Sequence, residues 1–228
     1  MNNNIRLIIN SSPRSGQAWL EFIIRQSLNF DFHSDNDNIL TRIHVPVVLN
    51  AKFDDIYQTI ILRDPFDLIP SIVTKTTGGF GSNIISGVSM PHEINNVPSL
   101  ERLILDQFGV YTKYANGINN NINNLIPFTF EQVTTDISFT ISTLMSETGY
   151  NLNILQNNNL NSFIELAREK IVQHDKGNVG YNNPVPINKK PDVYYEAKDL
   201  ISKLNGFEDI VDLYNKTKNN IYARQQSI

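Results

Sequence analysis

Three stretches of this chain carry the residue types that hold an anion, and a histidine stands between the first two. The first stretch is Ser11-Ser12-Pro13-Arg14-Ser15-Gly16. It follows an apolar run from Ile5 to Ile9 and precedes Trp19, Leu20, Phe22, Ile23 and Leu28, which fall at helical spacing. Strand, short polar loop with a glycine, then helix is an order that aims backbone N–H groups and the positive end of a helix at one point, where negative charge is stabilised. Arg14 adds a planar fork that matches phosphate or sulfonate oxygens. The second stretch is Arg63-Asp64-Pro65, at the carboxyl end of the strand-like run Tyr57 to Leu62, with Ser71 eight positions further on. Open α/β sheets bind ligands at that edge. The third is Lys176-Gly177-Asn178-Val179-Gly180, a glycine turn with one cation. His44 ends an apolar run that starts at Ile39 and is closed by Pro46. Imidazole is suited to moving a proton near neutrality, although a lone histidine at a strand end is more often structural than catalytic.

The elements that must position these groups are legible in part. Asp64 is set to N-cap a helix with Pro65 at its first position, and Asp67 stands where a capping-box acid would. Pro70 falls inside that helix, where it removes a backbone hydrogen bond, so a kink or a late helix start is expected. Residues 76 to 98, rich in glycine and without periodicity, read as a long loop, and a loop of that length is either functional or mobile. Leu100 to Tyr114 returns to helical spacing, and Leu125 to Phe130 reads as a strand. Asp136 and Gly149 bracket a helix as cap and stop. Further helices are expected from Leu160 to Ile171, from Asp192 to Leu204 and, after a break at Gly206, from Glu208 to Tyr222.

Composition bounds what these groups can serve. The 228 residues, 40% hydrophobic and 18% charged, suit one globular domain over residues 1–228, with no internal repeat. A net charge of −4 gives no electrostatic case for nucleic acid as partner. With no cysteine there is no disulfide and no thiolate-bound metal. No run approaches the roughly 18 apolar residues of a membrane span, and the Met1-Asn2-Asn3-Asn4 start is unlike a signal peptide, so a cytoplasmic protein is expected. Asparagine is roughly one residue in seven, concentrated in tracts that read as loop.

The loop Pro13-Arg14-Ser15-Gly16-Gln17-Ala18-Trp19-Leu20 is not a Walker A sequence, because no Lys-Ser/Thr pair follows the glycine. It resembles the 5′-phosphosulfate loop of sulfotransferases that use 3′-phosphoadenosine 5′-phosphosulfate (PAPS), usually Pro-Lys/Arg-Ser-Gly-Thr-Thr-Trp-Leu. Gln17 and Ala18 replace the two threonines. Arg42-Ile43-His44-Val45-Pro46 resembles that family's Lys-Thr-His-Leu-Pro, and Arg63 to Ser71 its 3′-phosphate motif Arg-Asn/Asp-Pro-x-Asp-x-x-x-Ser. Ser162-Phe163 is similar to its Ser-Phe pair. Lys176 to Gly180 is similar to its Arg-Lys-Gly-x-x-Gly loop, except that Asp175 stands in place of the arginine. Phe130-Glu131 resembles a Tyr-Glu segment and lacks the tyrosine hydroxyl that lies near the adenine.

The resemblance implies a single α/β domain with a central, mainly parallel sheet flanked by helices, in the P-loop-like sulfotransferase fold. It implies PAPS as donor, 3′,5′-diphosphoadenosine (PAP) as product and no metal. His44 would be the general base, with Arg14 and Arg42 meeting the charge that develops on the leaving group. Arg14, Ser15, Gly16, Gln17, Ala18 and Trp19 would hold the 5′ end, Trp19 and Phe163 the two faces of the adenine, and Arg63, Ser71, Lys176 and Gly177 the 3′-phosphate. In that family the region corresponding to residues 76 to 98 often lines the acceptor pocket, so Phe80 and His92 would be candidates to touch an acceptor. The acceptor itself, a small molecule or a saccharide bearing a hydroxyl or amine, is not identified by any of these residues, and neither is the oligomeric state. Two other classes fit part of the pattern. One is a nucleotide-binding module that has lost turnover, which Gln17, Ala18, Phe130 and Asp175 favour. The other is a P-loop kinase-like phosphotransferase, against which the missing lysine stands.

Overall fold

The computed structural model describes residues 6–12, 15–27, 40–43, 56–77, 84–85, 88–89, 99–120, 124–149 and 192–226. Four strands form one sheet: β1 (Arg6–Asn10), β2 (Leu40–Ile43), β3 (Ile56–Leu62) and, after a short antiparallel pair β4 (Ile84–Ile85) and β5 (Val88–Ser89), β6 (Leu125–Thr129). The order across the sheet is β2-β1-β3-β6, and every neighbouring pair is parallel. Parallel strands buried on both faces read as continuous apolar runs, as Ile60-Ile61-Leu62 does here. Pro127 is tolerated in β6 because that strand is at the edge of the sheet. Its carbonyl accepts a hydrogen bond from Gln225 Nε2 at 3.0 Å, so the edge is partly covered.

Alternation along the strands sends successive side chains to opposite faces, and each face has its own helices. Ile60, Leu62 and Leu125 pack with α2 (Pro65–Thr77), α3 (Leu100–Asn119), α6 (Asp192–Ile201) and α7 (Phe207–Gln225), through residues such as Ile69, Ile104, Ala197 and Ile221. On the other face Leu7, Ile9, Ile61, Ile126 and Phe128 pack with α1 (Gln17–Ser27), α4 (Phe130–Thr135) and α5 (Ile137–Thr148), through Leu20, Ile23, Val133 and Ile141. Each fully buried Leu or Ile contributes roughly 1.5–3 kcal/mol relative to exposure. Helices on both faces of a parallel sheet make the described elements an α/β arrangement, as the sequence leads one to expect.

Helix ends follow the sequence closely at several points. Asp64 Oδ1 accepts from the Phe66 N–H at 2.8 Å, and α2 begins at Pro65. Asp136 Oδ1 accepts from the Phe139 N–H at 2.9 Å, and α5 stops at Gly149, whose φ of 68° is left-handed. Gly206, at φ 86°, separates α6 from α7. Pro70 neither delays nor ends α2, which is assigned without a break from Pro65 to Thr77.

The connection order explains where a ligand fits. From β1 the chain passes through α1 to β2 on one side, whereas from β3 it passes through α2 and α3 to β6 on the other. Helices α1 and α2 therefore leave the carboxyl edge on opposite faces of the sheet. Neighbouring strands whose connections diverge in this way open a crevice between their carboxyl ends, and open α/β sheets bind ligands there.

Candidate functional site

The first wall of the crevice is the turn from β1 to α1, and it is built from its own side chains. Ser11 ends the strand: its hydroxyl accepts the Ile61 N–H at 2.6 Å in place of a backbone carbonyl. The Ser15 hydroxyl donates to the Ser12 carbonyl at 2.6 Å, and the Ser15 N–H reaches the same oxygen at 3.2 Å. Gln17 Nε2 donates to the Ser11 carbonyl at 2.8 Å and lies 3.4 Å from that of Ile9. Gly16 has φ 98°, a conformation that side-chain-bearing residues rarely adopt. A helical bond runs from the Leu20 N–H to the Gly16 carbonyl at 2.9 Å, so the N–H groups ahead of Leu20 lie in the leading turn of the helix.

These contacts refine the residue roles implied by the sequence. Ser15 and Gly16 stand at the head of α1, as an anion-holding loop requires, and Ala18 lies in its first turn. Gln17 is 4% exposed, and its side chain points back into the fold, onto the Ser11 carbonyl. Trp19 is 6% exposed; its indole N–H donates to the Val133 carbonyl at 2.9 Å and its ring stacks on Phe22 at 5.9 Å. That position gives Trp19 a packing role between α1 and α4. Arg14 lies outside the described residues.

The second wall is the turn from β3 to α2, and it is held from elsewhere in the chain. The Arg63 carbonyl accepts the Tyr111 hydroxyl at 3.1 Å. Burial holds the Tyr111 hydroxyl well above the usual tyrosine range, and Tyr214, Asp64 and Glu131 push it the same way, so it stays a donor. The Arg63 guanidinium lies over the Phe130 ring, 4.3 Å from its centroid. Phe130 opens α4 and does not extend β6. The Thr129 hydroxyl accepts from the Gln132 N–H at 3.3 Å and Gln132 Oε1 accepts from the Thr129 N–H at 2.9 Å, which is a full capping box. The signal was present in the sequence as Thr-x-x-Gln.

Asp67 does not complete a capping box. Its Oδ1 accepts from Lys198 Nζ at 2.6 Å and from the Tyr194 hydroxyl at 3.0 Å, both on α6. Burial alone would raise its pKa, but these two hydrogen bonds and the charges of Lys198 and Arg63 leave it below the ordinary carboxylate range. Lys198 shows the reciprocal effect: burial lowers its pKa, Asp67 more than offsets this, and the ammonium is held above its usual value. Lys198 also sits 4.5 Å from the Phe66 ring centroid. Ser71 follows on α2 and is 4% exposed.

Strand β2 runs to the same edge. Ile43 pairs with Asn10 at the carboxyl end of β1, and Arg42 pairs with Ile9. His44 follows Ile43 directly in the sequence and lies outside the described residues. So do Phe80, His92, Phe163, Asp175, Lys176 and Gly177. The structure thus brings Ser15, Gly16, the backbone of Gln17 and Ala18, and Arg63 to the carboxyl edge of adjacent strands. Tyr111, Tyr194 and Lys198, which support Arg63 and its helix, are residues sequence reasoning did not assign to the site, and Phe130 enters it through a contact with Arg63 that sequence did not suggest. Among the described residues no group of three or more His, Asp or Glu is arranged to hold a metal ion, and no helix is long and apolar enough to cross a membrane. No protein-family model, curated protein or solved structure matches the chain.

Proposed function

We propose that the chain is a PAPS-dependent sulfotransferase whose donor lies across the crevice between β1 and β3. The observation that carries this reading is the pairing of two anion-directed turns on neighbouring parallel strands, the loop Ser11 to Gly16 ahead of α1 and Arg63 ahead of α2. A ligand with anionic groups at both ends of one nucleoside fits such a pair, because each turn meets charge with backbone N–H groups or a guanidinium. The residue roles come from the sequence motifs. When bound, PAPS supplies an activated sulfuryl group. Ser15 and Gly16, with the N–H groups of Gln17 and Ala18, hold its 5′ end, Arg14 and Arg42 face the charge that develops on the leaving oxygen, and fixed donors of this kind account for much of a transfer enzyme's rate. Arg63, Ser71, Lys176 and Gly177 hold the 3′-phosphate, Phe163 covers the adenine, and His44 takes the proton from an acceptor hydroxyl or amine.

Calorimetric titration with PAP and with ADP tests the donor site, and transfer of label from PAPS to a panel of acceptors tests turnover. PAP is expected to bind more tightly than ADP. Arg63→Ala should weaken PAP by about 1.5–3 kcal/mol, the value of a hydrogen-bonding site to a charged group. His44→Ala should abolish transfer with PAP binding retained. Tighter binding of Mg-ATP than of PAP would overturn the reading in favour of a phosphotransferase.

A second reading is favoured by one specific observation. Gln17 closes the loop from inside, where a threonine hydroxyl would be available to a ligand. A binding module with PAP affinity and no transfer to any acceptor is its expected signature.

A further inference from the structure

We infer that Phe130 is the positioning residue for Arg63, holding its guanidinium at the sheet edge beside the glycine of the first turn; the inference rests on the donor-site reading above. Register sets the contact up. Leu62 pairs with Thr129, so the next residues on the two strands, Arg63 and Phe130, emerge side by side at the carboxyl edge. The guanidinium carbon is 4.3 Å from the ring centroid, within cation–π range. The donors of a guanidinium lie in its own plane, so a contact with a ring through the face of the group consumes none of them.

The same ring touches the other turn. A Cβ added at Gly16 would stand 3.2 Å from both Cδ2 and Cε2 of Phe130. One aromatic ring therefore borders both anion-directed turns and fixes the gap between them. Phe130 is itself held, because it is the first residue of α4 and the Thr129–Gln132 capping box fixes that turn. An arginine has many rotamers, and one already restrained loses less freedom when a ligand arrives. The absence of a hydroxyl at this position is consistent with the role, since a ring face attracts the cation without a competing hydrogen bond.

The test is a binding cycle on the full chain with PAP and ADP as probes. Phe130→Leu, which keeps apolar bulk and removes the ring, should weaken PAP about ten-fold and leave ADP nearly unchanged, a difference of ~1.4 kcal/mol. Phe130→Tyr should restore PAP affinity, which a purely structural lesion would not predict. In an Arg63→Ala background, Phe130→Leu should cost nothing further. Equal losses for PAP and ADP, or the same PAP loss with and without Arg63, would overturn the positioning role. If the unmodified chain binds no PAP, the donor-site reading falls separately. The same four variants in thermal unfolding then decide whether the contact exists, because additive shifts mean that Phe130 and Arg63 are uncoupled.

Discussion

Between β1 and α1 the chain keeps its shape largely with residues that lie within a few positions of one another: Ser15 donates to the Ser12 carbonyl, Gln17 donates to that of Ser11, and Gly16 supplies a conformation open to glycine, while the Ser11 hydroxyl ties the turn to Ile61 of β3. Between β3 and α2 the local support is Asp64, which accepts from the Phe66 N–H. Arg63 is held by Tyr111 from α3 and Phe130 from α4, and Asp67 by Tyr194 and Lys198 from α6. One turn is supported mainly from within and the other is assembled mainly by tertiary contacts. Loss of distant packing should therefore loosen the Arg63 side of the crevice before the Gly16 side.

The sharpest way to break this contrast is Gly16→Val. A β-branched residue at φ 98° is strained, and its Cβ meets the Phe130 ring, so a loss of about 2–4 kcal/mol is expected. Differential scanning calorimetry should record this as a drop of roughly 5–15 °C in Tm. An unchanged Tm would mean that the first turn is not locked in the form described. Gln17→Ala comes next: it strips a buried carbonyl of its donor, at about 1–2 kcal/mol by chemical denaturation. If its cost were smaller than that of Asp67→Asn, the first turn would not be supported mainly from within.

Asp67→Asn should cost below ~1 kcal/mol, because the Asp67 side chain is 44% exposed and its pairing with Lys198 is screened by solvent. Its sign with pH is the more telling readout. A carboxylate whose folded pKa is lowered contributes stability above its unfolded pKa and loses that contribution as pH falls through the folded value. The advantage of the unmodified chain over Asp67→Asn should therefore be present at neutral pH and vanish on acidification. The smallest effect is a null one. Gln17→Ala and Asp67→Asn share no partner, so their costs should add within about 0.5 kcal/mol. A larger coupling would show that the two turns communicate.

The same contrast sets how much of the molecule could be read in advance. Strands β1 and β3, the Asp64 and Asp136 caps and the glycine stops at Gly149 and Gly206 were legible because each depends on neighbours in sequence. The sheet edge carrying the first turn and Arg63 was legible for the same reason. Helix α3 runs to Asn119, beyond the Tyr114 limit suggested by periodicity. Its last turn contains Asn116, Gly117 and Asn119, poor helix formers that are overridden by tertiary contact. Asn119 Nδ2 donates to the Thr217 hydroxyl and its Oδ1 accepts from Asn220 Nδ2, both at 2.9 Å. Strands β4 and β5 are two residues each, too short to show alternation. The Asp67 partners have no local signal, whereas α4 has one in its Thr129–Gln132 capping box, and the apolar run that continues into Phe130 masks it by reading as strand.

The Asp67–Lys198 bond spans 131 positions of chain. On a ribosome the β1–α1 turn can close as soon as its own residues have emerged, but the clasp on α2 must wait for α6. At about 5–20 residues per second that wait is on the order of ten seconds. During it, Asp67 and the first turn of α2 stand without their eventual partners, which makes this the interval in which a nascent-chain chaperone or protease would find the Arg63 side of the molecule open.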